Sequence, residues 1–300
     1  MDTATPEPYA LFMTGNTTAL SCRICGNSLR PHFSVDPWQI SVCVKCSFAQ
    51  VNPEPTSAQL DDIYRASYFS KKKYDQSFSQ RKEYQRRMAL LARFTYGLKP
   101  RVLDAGCGTG DFIGAAKGSY EMWGREFSDE AVKTAQAAHP ECKHRISSGP
   151  IEDYDAPPNT FDAITMWDVI EHLWNPLIVV KKLLESLKPG GHLLISTPDI
   201  GAPTAKILKR RWAFMTPPEH LSFFSTPSFA ELFERQLGAE ICYRHSFGKW
   251  VNLGFLAYKV GRVFAGPLPN LLMATTSGLV GKLPVYVPTG DVAYVAVRKP

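Results

Sequence analysis

The middle of the chain alternates short apolar runs with stretches of helical periodicity. The short runs, which are typical of buried strands, lie at residues 102–103, 120–126, 142–147, 161–167 and 192–197. Helical spacing of the apolar positions falls between them, most clearly at 131–138 and 175–187. Strands and helices that alternate in this way cover both faces of a parallel sheet. The pattern therefore predicts an α/β fold built on a doubly wound parallel sheet.

The C-terminal third adds strands to this sheet and interrupts them. Two more strands are predicted at 238–247 and 291–298, after a helix at 226–236. Between these strands lie two apolar stretches of helical pattern, at 250–264 and 268–283. We therefore expect seven strands, with a helical insertion at about 249–284 before the last one. Internal packing is the default expectation for the insertion, and a lid, a dimer face or a membrane-resting surface are the alternatives.

A helical stretch is also predicted ahead of the sheet, from about residue 71 to residue 98. Its apolar positions recur at helical spacing, and its basic residues fall largely elsewhere on the helix. These basic residues are Lys82, Arg86, Arg87 and Arg93. We expect the apolar face to cover a pocket on the sheet while the charges stay in solvent. The alternative is a basic surface that binds a phosphorylated substrate.

Composition and charge narrow the class of protein. The 300 residues are 44% hydrophobic and 21% charged, as in a soluble globular protein with room for one large domain and a small one. A formal charge of +6 is too mild an excess to indicate nucleic acid as a partner. No apolar run reaches the ~18–20 residues of a membrane-spanning helix, and the N-terminus lacks the pattern of a secretory signal. We expect a cytoplasmic monomer or homodimer, with peripheral membrane contact as an alternative.

Four of the seven cysteines form two Cys-x-x-Cys pairs near the N-terminus. Cys22 and Cys25 make the first pair, and Cys43 and Cys46 make the second, 17 residues later. This spacing is typical of a structural zinc site with four thiolate ligands. Because four protein ligands complete the tetrahedron, we expect Zn²⁺ to fold this segment and to do no chemistry. Four unconnected buried cysteines are the less favoured alternative.

Three alternating glycines, Gly106, Gly108 and Gly110, directly follow the strand that ends near Asp104. Glycine allows a sharp turn and a close approach of the backbone to a ligand, and a helix begins right after the loop. Strand, glycine loop and helix start together predict a nucleotide-type pocket at the carboxyl end of the strand. Glu126 ends the next strand, 20 residues beyond Gly106, where a carboxylate can accept both hydroxyls of a ribose.

The run Asp-x-Gly-x-Gly-x-Gly resembles motif I of the class I S-adenosylmethionine (SAM) dependent methyltransferases, which implies a Rossmann-like fold. Phe-Asp-x-Ile from Phe161 and Leu-Lys-Pro-Gly-Gly from Leu187 are also similar to that family. The resemblance implies SAM as the cofactor, held by Asp104, Gly106, Cys107, Gly108, Gly110, Phe112, Glu126, Phe127, Ile151, Glu152, Trp167 and Asp168. Pro150 departs from the pattern, because the family usually has an acidic residue there that meets the adenine amino group. We expect Ile151 to pack on the adenine, with Glu152 or a backbone group at the amine.

The chemistry-bearing residues are expected just beyond the fourth strand, where ligands of parallel sheets bind. Methyl transfer needs an acceptor without its proton, and the pKa of a histidine suits His172 to proton removal near neutrality. Asp168, Glu171 and His172, with the distant His220, also resemble the metal site of small-RNA 3′-end and ubiquinone-pathway O-methyltransferases, which implies Mg²⁺ or Mn²⁺. Asp168 is shorter than the glutamate of those enzymes. A His172 base, a catalytic metal and a purely structural role of Glu171 remain the three alternatives.

The sequence predicts only the chemical class of the molecule that accepts the methyl group. The cysteine pairs followed by Asn-Pro-x-Pro-Thr and a helix resemble zinc-headed methyltransferases of glycan and natural-product pathways. We expect a small polar acceptor, a sugar precursor or a natural-product scaffold, that is phosphate-bearing or lipid-linked. A basic cluster after the fifth strand slightly favours a phosphate, and it consists of Lys206, Lys209, Arg210 and Arg211. The alternatives are a metal-dependent RNA 3′-end or quinone-type O-methyltransferase and a non-catalytic SAM-binding zinc protein.

These features divide the chain into four expected parts. Residues 1–20 are a flexible N-terminus, and residues 21–56 are a zinc-ribbon segment. Residues 57–100 are a helical bridge that caps the pocket, and residues 101–300 are a SAM-dependent methyltransferase domain. The N-terminal segment carries few basic groups, so we do not expect it to bind nucleic acid.

Overall fold

The computed structural model describes residues 20–56, 59, 78–254, 256–257 and 280–300. The predicted flexible N-terminus, the first part of the helical bridge and most of the predicted insertion lie outside these residues. Within the described ranges, no helix is both long enough and apolar enough to cross a membrane.

The strands and helices are numbered in chain order. The strands are β1 (Leu29–Val35), β2 (Trp38–Cys43), β3 (Ala49–Asn52), β4 (Arg101–Ala105), β5 (Glu121–Glu126), β6 (Ile146–Ser148), β7 (Phe161–Trp167), β8 (Leu187–Pro198), β9 (Ser222–Phe223), β10 (Glu240–Asn252) and β11 (Pro284–Arg298). The helices are α1 (Phe78–Arg93), α2 (Asp111–Ala116), α3 (Asp129–Ala138), α4 (Pro176–Ser186), α5 (Pro203–Leu208) and α6 (Thr226–Phe229). A π-helix over Ala230–Gln236 continues α6.

Seven strands form the central sheet in the order β10-β11-β8-β7-β4-β5-β6. Strands β4 to β8 run parallel, and β11 is antiparallel to both β8 and β10. The predicted seven-stranded, Rossmann-like α/β sheet is confirmed. The strand order reverses between β4 and β7, and ligands of such sheets bind outside the carboxyl ends of the strands at this switch point.

A smaller sheet of four strands joins the N-terminal hairpin to a distant part of the chain. Its order is β1-β2-β3-β9, and Ala49 of β3 pairs with Phe223 of β9. The hairpin also shares its apolar core with the central sheet, since Cys22, Cys46 and Phe48 belong to one cluster with buried residues of β7 and β8. The N-terminal segment is therefore built into the fold.

The predicted start of the helical insertion is wrong. Residues 249–252 continue β10, and their partners at 284–287 belong to β11, so both strands are longer than the sequence predicts. The register shifts at Gly248, where a Cβ would lie 2.0 Å from the Val287 carbonyl oxygen. The rings of Trp250 and Tyr286 meet across the added ladder at a tilt, with centroids 5.4 Å apart. This cross-strand pair favours strand over helix.

Two other predicted boundaries are wrong. Helix α1 ends at Arg93 rather than near residue 98, because the Thr95 hydroxyl donates to the Leu91 carbonyl and Gly97 turns the chain at φ 92°. The third parallel strand is Ile146–Ser148 rather than 142–147. A 3₁₀ helix over Pro140–Arg145, opened by the proline, takes the preceding residues.

Candidate active site

The glycine loop leaves β4 at the switch point of the central sheet. Asp104 is buried at the end of the strand, and the Thr165 hydroxyl donates to its carboxylate at 2.7 Å. Burial raises the pKa of Asp104 to about 7, although the Thr165 hydrogen bond opposes the rise. Gly106 has φ 84°, and a Cβ there would lie 2.4 Å from Cγ2 of Val169. Both the backbone angle and this contact require glycine.

Glu126, the predicted ribose ligand, lies against the glycine loop. Its carboxylate accepts the Gly108 N–H at 2.9 Å and the Ser128 N–H at 3.0 Å. Ser128 in turn caps α3 by accepting the Ala131 N–H at 3.3 Å. The loop after β4 and the turn after β5 are therefore tied to one buried carboxylate, and this arrangement suits a ribose placed between them.

Phe112 and Trp167 form an aromatic wall beside the loop. Their rings meet edge to face with centroids 5.5 Å apart, and both side chains are buried. The Arg87 guanidinium lies 5.4 Å from the centre of the Trp167 ring. Within the described residues, Nε1 of Trp167 and Nε of Arg87 are buried without a hydrogen-bond partner. Buried orphan donors are uncommon, so a bound molecule or water is expected to complete them.

The other predicted cofactor residues surround β5 and β6. Burial raises the pKa of the Cys107 thiol well above its ordinary value, so the side chain is a neutral packing group against Gly124. Ile151 packs on the main core, whereas Glu152 and Phe127 are exposed. Pro150 stands where the family usually has an acidic residue. Its carbonyl accepts a hydrogen bond from Nε of Arg125 at 3.2 Å. Arg125, which the sequence did not single out, thus sits beside the predicted adenine position.

Asp168 directly follows β7 and has a left-handed backbone, φ 59°, an unusual conformation for a residue other than glycine. Its carboxylate lies 2.5 Å from the Arg87 guanidinium and accepts the Ser196 hydroxyl at 3.1 Å. Burial disfavours the charged carboxylate, but Arg87 and Lys249 outweigh that effect, and the pKa of Asp168 falls below its ordinary value. Asp168 is therefore an anion held toward helix α1.

Glu171, His172 and His220 come together from two segments of the chain. One ligand atom from each lies within 4.8 Å of the other two, and Asp168 does not belong to this group. Each histidine donates its Nδ1–H to a backbone carbonyl at 2.7 Å, His172 to Glu219 and His220 to Phe214. Nε2 of both rings is left to accept a proton or to bind a metal. The structure thus brings three of the four predicted residues together and directs the fourth to Arg87.

The ionisation of this cluster follows from its burial. Burial lowers the pKa of His172 and, with the neighbouring His172 ring, that of His220 to about 3. Burial and the Asp168 charge raise the pKa of Glu171 to about 8, while the Thr197 hydroxyl donates to its carboxylate at 2.9 Å. Two neutral imidazoles and a carboxyl group that resists ionisation are suited to receive a cation, which would stabilise the carboxylate.

The sequence does not indicate that Arg86, Arg87 and Lys249 lie beside the cleft. Arg86 and Arg87 were expected in solvent, but both are partly buried, and Arg86 lies over the Phe247 ring at 4.3 Å. Lys249, on the extension of β10, lies 4.2 Å from the centre of the Phe214 ring. Helical spacing could have indicated Arg87, because it precedes the fully buried Leu91 by one turn. No local pattern marks Lys249.

The four paired cysteines form a compact cluster in the N-terminal segment. Their sulfur atoms lie within 4.8 Å of one another, with three separations of 3.5 to 3.7 Å. A tetrahedron with Zn–S bonds of about 2.3 Å has edges of about 3.8 Å. Backbone N–H groups of Lys45 and Cys46 point at the Cys43 sulfur at 3.4 and 3.5 Å. The donor set and its spacing fit Zn²⁺.

Comparisons with known proteins agree with this geometry. The model of the methyltransferase domain family matches residues 76–241, more than half of the chain. The ubiquinone biosynthesis O-methyltransferase of Idiomarina loihiensis is 31% identical over 122 residues, which are 37% of this chain and 48% of that enzyme. Its namesake from Xanthomonas campestris pv. campestris is 36% identical over 103 residues, 32% of this chain and 42% of that enzyme. The chain thus spans less than half the length of these curated relatives.

A solved structure shows the same fold at low identity. The YcgJ protein of Bacillus subtilis superimposes with a TM-score of 0.51 at 17% identity, covering 70% of this chain and 97% of that one. At this identity the likeness concerns the fold alone. The family match instead rests on the sequence of residues 76–241, which include the glycine loop, Glu126 and the Glu171–His220 cluster. The chain belongs to the methyltransferase domain family.

Proposed function

We propose that the protein transfers the methyl group of S-adenosylmethionine to a small polar acceptor, a sugar precursor or a natural-product scaffold. The observation that carries this proposal is the junction of the glycine loop with Glu126 at the switch point of the sheet. Bound SAM supplies an electrophilic methyl group on a sulfonium. The chain's own task is to hold that donor, orient the acceptor and manage the acceptor proton.

The residues present fit SAM. In this proposal Glu126 accepts the ribose hydroxyls, Ile151 packs on the adenine and the glycine loop approaches the amino acid part closely. The orphan donors on Trp167 and Arg87 offer hydrogen bonds to acceptor atoms of a bound molecule.

Two roles for the histidine cluster follow from its geometry. As a base, neutral His172 would take the acceptor proton at Nε2, because its Nδ1–H is already bound to the Glu219 carbonyl. As a metal site, Glu171, His172 and His220 would hold Mg²⁺ or Mn²⁺ through one oxygen and two nitrogen atoms. Such a cation would lower the pKa of a coordinated hydroxyl group.

The second candidate function is a metal-dependent O-methyltransferase of quinone type. It is supported by the three-residue cluster and by the sequence similarity to the ubiquinone biosynthesis O-methyltransferases. Methyl transfer to the 3′ end of a small RNA has less support. The cleft cations Arg86 and Arg87 are already paired with Glu83 and Asp168, so they are not available for RNA phosphates. Lys249 makes no ion pair with any residue that the structure describes, and it could meet one anionic group of a small acceptor.

We further propose that residues 21–56 are a structural Zn²⁺ segment and that residues 101–300 hold the catalytic domain. Zn²⁺ would be bound by Cys22, Cys25, Cys43 and Cys46, with no open position. A site closed by four protein ligands does no chemistry, so this metal would not take part in methyl transfer. A non-catalytic SAM-binding protein is the remaining alternative.

Calorimetry and methyl-label transfer test the proposal. The protein should bind S-adenosylhomocysteine, and it should transfer labelled methyl from SAM to a fraction of small polar metabolites. His172→Ala should abolish transfer and leave S-adenosylhomocysteine binding intact. Dialysis against buffer free of Mg²⁺ and Mn²⁺, with the cysteine-bound zinc shown by metal analysis to be retained, followed by Mn²⁺ addition separates the two roles. A base mechanism survives the dialysis, and a metal mechanism recovers only with the added cation. Absence of S-adenosylhomocysteine binding would refute the proposal, and binding without any transfer would favour the non-catalytic alternative.

A further inference from the structure

Arg23 lies inside the first cysteine pair but directs its side chain away from the cysteines. Its guanidinium donates to three backbone carbonyls, those of Trp174 at 3.0 Å, Leu221 at 3.0 Å and Val51 at 3.3 Å. The same group stacks on the Trp174 ring at 3.7 Å. A planar guanidinium can bridge several acceptors at fixed angles, which a lysine ammonium cannot do.

The carbonyls that Arg23 binds belong to the two segments of the histidine cluster. Leu221 directly follows His220, and Trp174 comes two residues after His172. Further bonds join the same segments: the Leu221 N–H donates to the Glu171 carbonyl at 2.8 Å, and the Ser222 hydroxyl donates to the Leu173 carbonyl at 2.8 Å. Arg23 therefore lies on the side of this junction that faces the cysteines.

The backbone of Arg23 is also fixed by the small sheet. Its N–H donates to the buried Gln50 side chain at 3.0 Å, and Gln50 on β3 pairs with Ser222 on β9. The cysteine pair, β3 and the His220 segment thus form one connected unit. Trp167 and the glycine loop make none of these contacts.

We propose that Arg23 is a positioning residue that holds the His172 and His220 segments at their mutual distance, so that the cysteine site shapes the acceptor side of the cleft. This inference rests on the proposed function only in one respect, the role of the two histidines in methyl transfer. Residues that orient metal ligands from behind typically change metal affinity by about 10- to 100-fold when they are removed.

The test compares Arg23→Met with Arg30→Met, which removes an exposed arginine from strand β1 of the same small sheet. Three quantities are measured: cysteine-bound zinc by metal analysis, S-adenosylhomocysteine affinity by calorimetry and Mn²⁺ affinity by electron paramagnetic resonance. Imidazole ¹⁵N resonances of His172 and His220 are recorded without Mn²⁺. Arg23→Met should keep zinc and S-adenosylhomocysteine binding, weaken Mn²⁺ binding by about 10- to 100-fold and shift both imidazole resonances. Arg30→Met should match the wild type throughout.

Wild-type Mn²⁺ affinity and unshifted imidazole resonances in Arg23→Met would overturn the proposal. If Arg23→Met loses its zinc or its fold, Arg23→Lys decides instead, because it keeps the positive charge but cannot bridge the three carbonyls at fixed angles. That variant should also shift the two imidazole resonances, and unchanged resonances would overturn the proposal. If the wild type binds no Mn²⁺, the metal mechanism fails, and the resonances alone still decide the role of Arg23.

Discussion

The Arg87 guanidinium on helix α1 and the Asp168 carboxylate at the end of β7 lie 2.5 Å apart. The pair connects the helix that precedes the central sheet to the segment after β7 that carries the candidate catalytic residues. Asp168 holds its left-handed backbone between this contact and the Ser196 hydroxyl. A charge on α1 that the sequence places in solvent is therefore part of the cleft.

Breaking this ion pair should loosen α1 from the sheet. A double-mutant cycle of Arg87→Met and Asp168→Asn, measured by urea unfolding, should give a coupling free energy of about 1 kcal/mol, since Asp168 is partly exposed and solvent screens the pair. Arg81→Met, which removes an exposed arginine from the same helix, is the control and should show no coupling to Asp168→Asn. Equal coupling for both arginines would contradict a specific role of the Arg87 contact.

Gly106→Ala should impair cofactor binding. The new Cβ would lie 2.4 Å from Val169 and would need φ 84°, so the loop must shift. We expect at least a tenfold loss of S-adenosylhomocysteine affinity by calorimetry, or about 1.4 kcal/mol. Gly118→Ala meets no atom within 4 Å and should bind like the wild type. Adding Val169→Ala should recover part of the loss, and no recovery would mean that the backbone angle alone is responsible.

The cysteine cluster should hold one Zn²⁺ per chain. Cys25→Ser combined with Cys46→Ser removes two of four adjacent sulfurs, so metal analysis should show the zinc lost and thermal unfolding should occur at a lower temperature. Cys242→Ser lies outside the cluster and should retain the metal. Full zinc content in the double variant would show that the metal is bound elsewhere.

Asp104 should make the stability of the ligand-free protein depend on pH. Its folded-state pKa of about 7 lies above an ordinary value of 3.8, so between these two pH values the folded state holds a proton that the unfolded state has released. The stability from this group is complete below pH 4 and is lost as the pH rises to about 7, by about 1.4 kcal/mol per unit at most. Asp104→Asn keeps an acceptor for Thr165 but cannot titrate. Urea unfolding from pH 4 to 8 should show a flatter profile for the variant, and parallel profiles would contradict the prediction.

Several elements could be predicted because their causes are local. The predicted bounds of strand β7 match the observed ones, because a short continuous apolar run between polar turns is typical of a buried strand. The glycine loop and the cysteine pairs follow from backbone freedom at Gly106 and from ligand spacing in the sequence. The length of β10 could not be predicted, because residues 249–252 suit a helix or a strand equally and only the pairing with β11 decides between them.

The sequence by itself determined the sheet, the nucleotide loop with Glu126 and the grouping of the four cysteines. These depend on periodicity and spacing within short stretches of chain, where side-chain type and backbone geometry are directly linked. The resemblance to known methyltransferases already indicates His220 as a partner of Glu171 and His172. Only the tertiary structure decided that Arg87 meets Asp168 and that Arg23 binds the segments carrying both histidines. Each of these contacts joins residues far apart in the chain. Such contacts form only when a helix, a loop or a hairpin from one part of the chain packs against another part, and no local pattern encodes that meeting.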